Sequence, residues 1–129
     1  MITIGQLAKK TDVTIVTIRH YEKIGLLHSK RSSSGYRCYQ EEDIITLNLI
    51  KHAKQLGFSL TEIAEFLHLD KQKAKGQDVK ALIQKKMIRI EEQLLFLRQL
   101  KKTYQKLLNS CSGEMPLECC PIMRQLKYN

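Results

Sequence analysis

The chain has 129 residues, enough for one domain or for two small ones joined by an extended element. Its 22 lysines and arginines against 13 aspartates and glutamates leave a formal charge of +9, a balance that points to a polyanionic partner, nucleic acid before a membrane surface. No apolar run reaches the roughly 20 residues that a bilayer crossing needs, and Met1-Ile2-Thr3-Ile4-Gly5-Gln6 lacks the zones of a secretory signal. The expected location is therefore cytoplasmic, with no membrane partner. In that reducing setting the four cysteines point to metal or redox chemistry rather than to a disulfide framework.

From Ile4 to about Leu27 the spacing predicts two short helices separated by a turn. Ile4, Leu7 and Ala8 recur at helical intervals, Val13 closes over them, and Thr14 is an N-cap for a second helix carrying Ile15, Ile18, Tyr21 and Glu22. With Ile15 and Ile18 inward, Thr17, Arg19 and His20 project elsewhere, as a helix entering a DNA major groove requires. A small helical bundle with a solvated basic face would show the same periodicity. Lys30 and Arg31 then precede a Ser-Gly turn, and Tyr36-Arg37-Cys38-Tyr39 alternates like a short strand. A hairpin beside a helix-turn-helix forms a wing, and one bearing Tyr36 and Arg37 can grip phosphates. A second helical pair is expected from about Glu41 to Leu67, broken at Gly57.

One long helix is expected from about Asp78 to Leu108. Ile83, Ile90, Leu97 and Tyr104 repeat every seven residues, and Met87, Leu94 and Leu108 form a second stripe that Lys101 interrupts. This is the pattern of a coiled-coil seam, which must be covered either by the rest of the chain or by a second copy. In the tail, Cys111, Cys119 and Cys120 lie among Gly113, Pro116 and Pro121. Such a loop can bring Cys111 and Cys120 onto one soft ion. Redox sensing and inert packing are the alternatives. Cys38 is expected to pack as a small apolar residue. His20, His28, His52 and His68 make no metal-ligand pattern, and no constellation of catalytic groups is present, so enzymatic activity is not expected.

Three segments resemble the MerR family of transcription regulators. They are Thr17-Ile18-Arg19-His20-Tyr21-Glu22-Lys23-Ile24-Gly25-Leu26-Leu27, Ser34-Gly35-Tyr36-Arg37-Cys38-Tyr39, and Leu56-Gly57-Phe58-Ser59-Leu60-Thr61-Glu62-Ile63. The resemblance implies a mainly α fold in three parts. Residues 1–70 would form a winged helix-turn-helix DNA-binding domain, residues 71–108 a linker and long dimerisation helix, and residues 109–129 a metal-binding loop and tail. It implies a homodimer joined by an antiparallel coiled coil on palindromic double-stranded promoter DNA, distorting that DNA so that RNA polymerase can engage it. The expected DNA-binding residues are Thr14, Thr17, Arg19, His20, Tyr21, Lys30, Arg31, Tyr36 and Arg37.

Cys111 and Cys120-Pro121-Ile122 are similar to the loop of the family's metal-sensing members, which carries Cys111 and Cys120 over as ligands, with Cys119 as a third thiol or a bystander. Sensors of divalent ions in the family place another cysteine at the start of the dimer helix, where Gly76 stands in this chain, and Asp78-Val79-Lys80 resembles the copper branch. Cu(I) is therefore favoured, ahead of Ag(I), Au(I), Hg(II), Zn(II), Cd(II) and Pb(II). The spacing from Cys111 to Cys120 is closer to that of the mercury and zinc sensors, so a divalent ion stays open, as does a redox sensor of the same fold.

Overall fold

Thr3 sets the first helix. It ends a two-residue strand, β1 (Ile2–Thr3), and caps α1 (Ile4–Thr11). Its hydroxyl accepts the Gln6 N–H at 3.2 Å, and the Gln6 side chain accepts the Thr3 N–H at 2.9 Å, satisfying two donors that a helix start leaves unpaired. Asp12 then takes up a left-handed conformation, φ 56°, and turns the chain into α2 (Ile15–Lys23), capped by Thr14. Lys51, on a later helix, pins that turn: its Nζ donates to the Thr11 carbonyl at 3.2 Å and lies 3.7 Å from the Asp12 carboxylate. The computed structural model describes residues 1–128, which form two compact units, Met1–Leu82 and a second beginning at Ile83.

In the first unit, β2 (Lys30–Arg31) and β3 (Arg37–Tyr39) form the wing. β3 also pairs with β1, so the sheet has three antiparallel strands in the order β1-β3-β2, with Ile2 opposite Tyr39 and Lys30 opposite Cys38. The expected two-stranded hairpin thus gains a strand from the N-terminus, and its hydrogen bonds fasten the wing to α1. Two further helices follow, α3 (Glu41–Gln55) and α4 (Leu60–Lys71). Between them Gly57 stands at φ 88°, where a side chain would be strained, and Ser59 with Glu62 repeats the reciprocal capping seen at Thr3.

α1 packs on α2 and α3, and α3 packs on α4. Leu7, Ile18, Leu47, Ile50 and Ile63 are fully buried where these helices meet, with Tyr39 reaching in from the sheet. Each such side chain contributes roughly 1.5–3 kcal/mol of burial. Phe58 and Phe66 meet edge to face, their centroids 5.0 Å apart. Because the core lies behind α2, the outer face of α2 and the wing are left to solvent together.

α5 runs from Gly76 to Ser110, 35 residues, longer at both ends than its apolar repeat predicts. The first unit takes in its start as far as Leu82. No residue of α5 is buried, and Ile90, Leu94, Leu97 and Tyr104 are 43%, 46%, 58% and 58% exposed. The second unit continues through a 3₁₀ turn at Leu117–Cys119 into α6 (Pro121–Tyr128), a helix where the sequence reading expects only a loop and tail. Among the described residues no helix is long and apolar enough to cross a membrane.

Candidate nucleic-acid interface and thiol site

The wing is a tightly ordered turn. Gly35, at φ 85°, donates its N–H to the Ser32 carbonyl at 2.9 Å, and Ser32 donates to the Tyr36 carbonyl at 2.7 Å. Arg31 adds a bond from Nη1 to the Gly35 carbonyl at 3.0 Å, which holds its guanidinium against the turn. Tyr36 stands 76% exposed at the tip. Arg31, Tyr36 and Arg37 line a cleft of about 430 Å³ together with Arg19 of α2 and Thr3 at the N-terminus of α1. Three guanidiniums and a helix start around one concavity are suited to phosphate oxygens. Four of the nine expected DNA-binding residues therefore converge on one site.

The other five are placed as follows. Thr14 and Thr17 sit at the start of α2, but their hydroxyls are partly committed: Thr14 accepts the Thr17 N–H at 3.2 Å and donates to the Thr17 hydroxyl at 2.8 Å. His20 and Lys30 are exposed. Tyr21 departs from its expected place. It is only 6% exposed, its ring belongs to the core, and burial raises its phenol pKa, so it supports α2 from behind rather than facing a groove. Val16 has the opposite fate. This apolar residue in the first turn of α2 is 77% exposed, free to meet a thymine methyl, and periodicity alone did not single it out.

Glu22 is the other residue that sequence reasoning missed. It lies on α2 and bonds two residues of β3: Tyr39 donates its hydroxyl to Oε1, and Arg37 Nε lies 3.2 Å from Oε2. Burial, then the hydrogen bond and charge of Glu22, push the Tyr39 phenol far above its ordinary range. Cys38, between those two residues, is buried and donates its S–H to the Lys30 carbonyl at 3.2 Å.

Replacing a cation of the cleft should act on all duplexes alike. Arg37→Ala is expected to weaken DNA binding whatever the sequence and to flatten the dependence of log K on log salt by about one unit, the value for one phosphate contact. Fluorescence anisotropy over a salt series measures both. Unchanged affinity and slope would remove the wing from the interface.

In the second unit, Cys111 follows the last residue of α5, and Gly113, at φ 84°, turns the chain back. Cys120 stands immediately before α6, with Pro121 at the first helical position, where its missing N–H costs nothing. The Cys120 thiol lies 3.5 Å from Cys111 Sγ and donates to it. The Met123 amide at the start of α6, helped by the Cys111 thiol and the Ile122 amide, holds the Cys120 thiol below its ordinary range against the opposing effect of burial. Cys119, one residue away, is exposed. Among the described residues no three His, Cys, Asp or Glu side chains gather as a metal cluster. The donor set is thus a close pair of thiols, one already biased towards thiolate, and this pair fits a soft ion.

A basic recognition helix joined to a wing, above a core that leaves both to solvent, defines a DNA-binding regulator rather than an enzyme. Residues 2–69 match the family model described as MerR HTH family regulatory protein, and residues 44–107 match the one described as MerR, DNA binding. The chain belongs to the MerR family of transcription regulators. It is 38% identical over 116 residues to the regulator ZntR of Escherichia coli strain K12, covering 88% of this chain and 82% of that protein. It is 32% identical over 125 residues to heavy metal-dependent transcription regulator 2 of Rhizobium meliloti strain 1021, covering 95% of this chain and 84% of that one. Its structure is similar to the crystal structure of PbrR691 from Ralstonia metallidurans CH34 in complex with lead(II). The TM-score is 0.85 at 30% identity, over 98% of this chain and 99% of that one.

Proposed function

We propose that the protein is a metal-responsive transcription regulator. It would bind palindromic double-stranded promoter DNA as a homodimer and, with a soft metal ion on Cys111 and Cys120, distort that DNA so that RNA polymerase can start transcription of metal-efflux or resistance genes. The observation that carries the reading is the thiol pair itself, 3.5 Å apart between the end of α5 and the start of α6. When bound, the ion supplies a link between two thiolates that are nine positions apart in the chain. Cys111 and Cys120 would hold the ion, and their joint engagement would close residues 112–119 into a loop between the end of α5 and the start of α6. The heavy metal-dependent relative and the lead(II) complex of PbrR691 support a metal as the signal.

Cu(I) is the favoured ion, because two thiolates suffice for a monovalent d¹⁰ ion and Gly76 stands where the divalent sensors supply a further cysteine. The PbrR691 complex favours a second reading, a divalent ion, which would need at least one more ligand. Cys119 is the nearest thiol for that role.

A titration of Cu(I), Ag(I), Hg(II), Zn(II), Cd(II) and Pb(II) at buffered free-metal concentration, reading transcription from the cognate promoter, tests the reading and names the ion. Cys119→Ser separates the two versions. With Cu(I) on two thiolates the variant should keep nearly the full response; with a three-thiolate divalent ion it should lose the response as completely as loss of Cys111 would. Induction by oxidant, with no response to any of the six ions, would replace the metal with thiol redox chemistry.

A further inference from the structure

We infer that Glu22 is a positioning residue for DNA recognition, one that fixes the wing to the recognition helix by holding Arg37 and Tyr39. The inference rests on reading the arginine-lined cleft as the DNA face. A carboxylate is an unexpected neighbour for a phosphate site, since it repels the ligand and draws charge from the cations that should bind it. Glu22 nevertheless bonds one of those cations, with both oxygens in use and its side chain only 12% exposed. Its two partners differ in character. Tyr39 is 1% exposed and anchored in the core, so its hydroxyl gives Glu22 a fixed point. Arg37 is one of the three arginines around the cleft.

Glu22 thus joins three things: the C-terminal half of α2, the central strand of the wing sheet, and a cation that lines the cleft. A guanidinium has five N–H donors, so the one directed at Glu22 leaves others for a phosphate oxygen. Arg37 held in this way does not have to be ordered when DNA arrives. The side-chain entropy is lost on folding rather than on binding.

Glu22→Gln tests this because its two consequences have opposite signs. Removing a negative charge beside a cation of the cleft should by itself tighten binding to any duplex. If Glu22 positions Arg37, binding to both duplexes should weaken instead. The probes are a duplex carrying the palindrome that the purified wild-type protein selects from a random pool, and a scrambled duplex of equal length. Each is titrated over a salt series with wild type, Glu22→Gln, Arg37→Gln and the double variant.

The expected result is a roughly tenfold loss on both duplexes for Glu22→Gln, with a salt slope lowered by about one as in Arg37→Gln, and little further loss in the double variant. Glu22→Gln binding as tightly as wild type or tighter, or losses that simply add, would overturn the inference. If Arg37→Gln itself binds like wild type, it is the reading of the cleft that fails. Should Glu22→Gln not fold, Tyr39→Phe carries the test, since it keeps the buried ring and removes only the hydroxyl. A roughly threefold loss on both duplexes is then expected, and unchanged binding would overturn the inference.

Discussion

Ile90→Asp and Leu97→Asp are each expected to convert a dimer to a monomer and to abolish specific DNA binding. Both residues lie on the seven-residue repeat with Ile83 and Tyr104. α5 contains no buried residue, and on that repeat Ile90 is 43% and Leu97 58% exposed. A carboxylate introduced there meets only water in the monomer and should leave the N-terminal core, built on Leu7, Ile18 and Leu47, undisturbed. Against a second copy the same carboxylate would be buried in an apolar seam, at a cost of several kcal/mol for each substitution. Sedimentation velocity reads the mass directly, while circular dichroism should show the helices retained. DNA binding is lost because a monomer offers one recognition helix to a two-fold site. A double variant that sediments as a dimer would rule this seam out as the interface.

What could be read before folding follows the range of the interactions involved. Thr14 before Ile15, Gly35 in the wing turn and Gly57 between helices act through bonds to near neighbours, and each stands where its spacing puts it. The long helix α5, with its exposed apolar repeat, was legible for the same reason, since a heptad repeat is local. Ile2–Thr3 escaped notice because two residues have no detectable period, and only their pairing with Tyr39 and Cys38 makes them a strand. Glu22 was hidden by distance along the chain, as its partners are Arg37 and Tyr39. Tyr21 follows Ile18 by three positions and shares its buried face, so its spacing already carried the sign that its ring belongs inside.

The tail shows both cases. Pro121 reads as a helix breaker, yet a proline at the first helical position begins one, and Ile122, Met123 and Leu126 give α6 its helical spacing. The approach of Cys111 to Cys120 could be anticipated from Gly113 and the two prolines between helix end and motif. The exposure of Cys119 could not, because it depends on how the 3₁₀ turn at Leu117–Cys119 presents its last residue.

Cys111→Ser and Cys120→Ser are each expected to abolish the metal response and to leave promoter binding as it was. Serine is nearly isosteric with cysteine but is not a soft ligand, so either substitution removes one of two donors while barely changing the loop. In the apo protein the thiol–thiol hydrogen bond at 3.5 Å is altered, and at Cys120 also the contacts with the Met123 and Ile122 amides. The expected DNA contacts all lie between Thr14 and Arg37, in the other compact unit and far along the chain from these thiols. The signal and the grip on DNA should therefore separate: the serine variants should occupy the promoter and fail to activate it. The most direct test follows promoter footprint and transcript yield in one reaction, at rising buffered Cu(I), with wild type and the Cys111→Ser, Cys120→Ser double variant. The expected result is an unchanged footprint for both proteins and a rise in transcript for wild type alone. A metal-dependent rise in transcript from the double variant would contradict a thiolate sensor at Cys111 and Cys120.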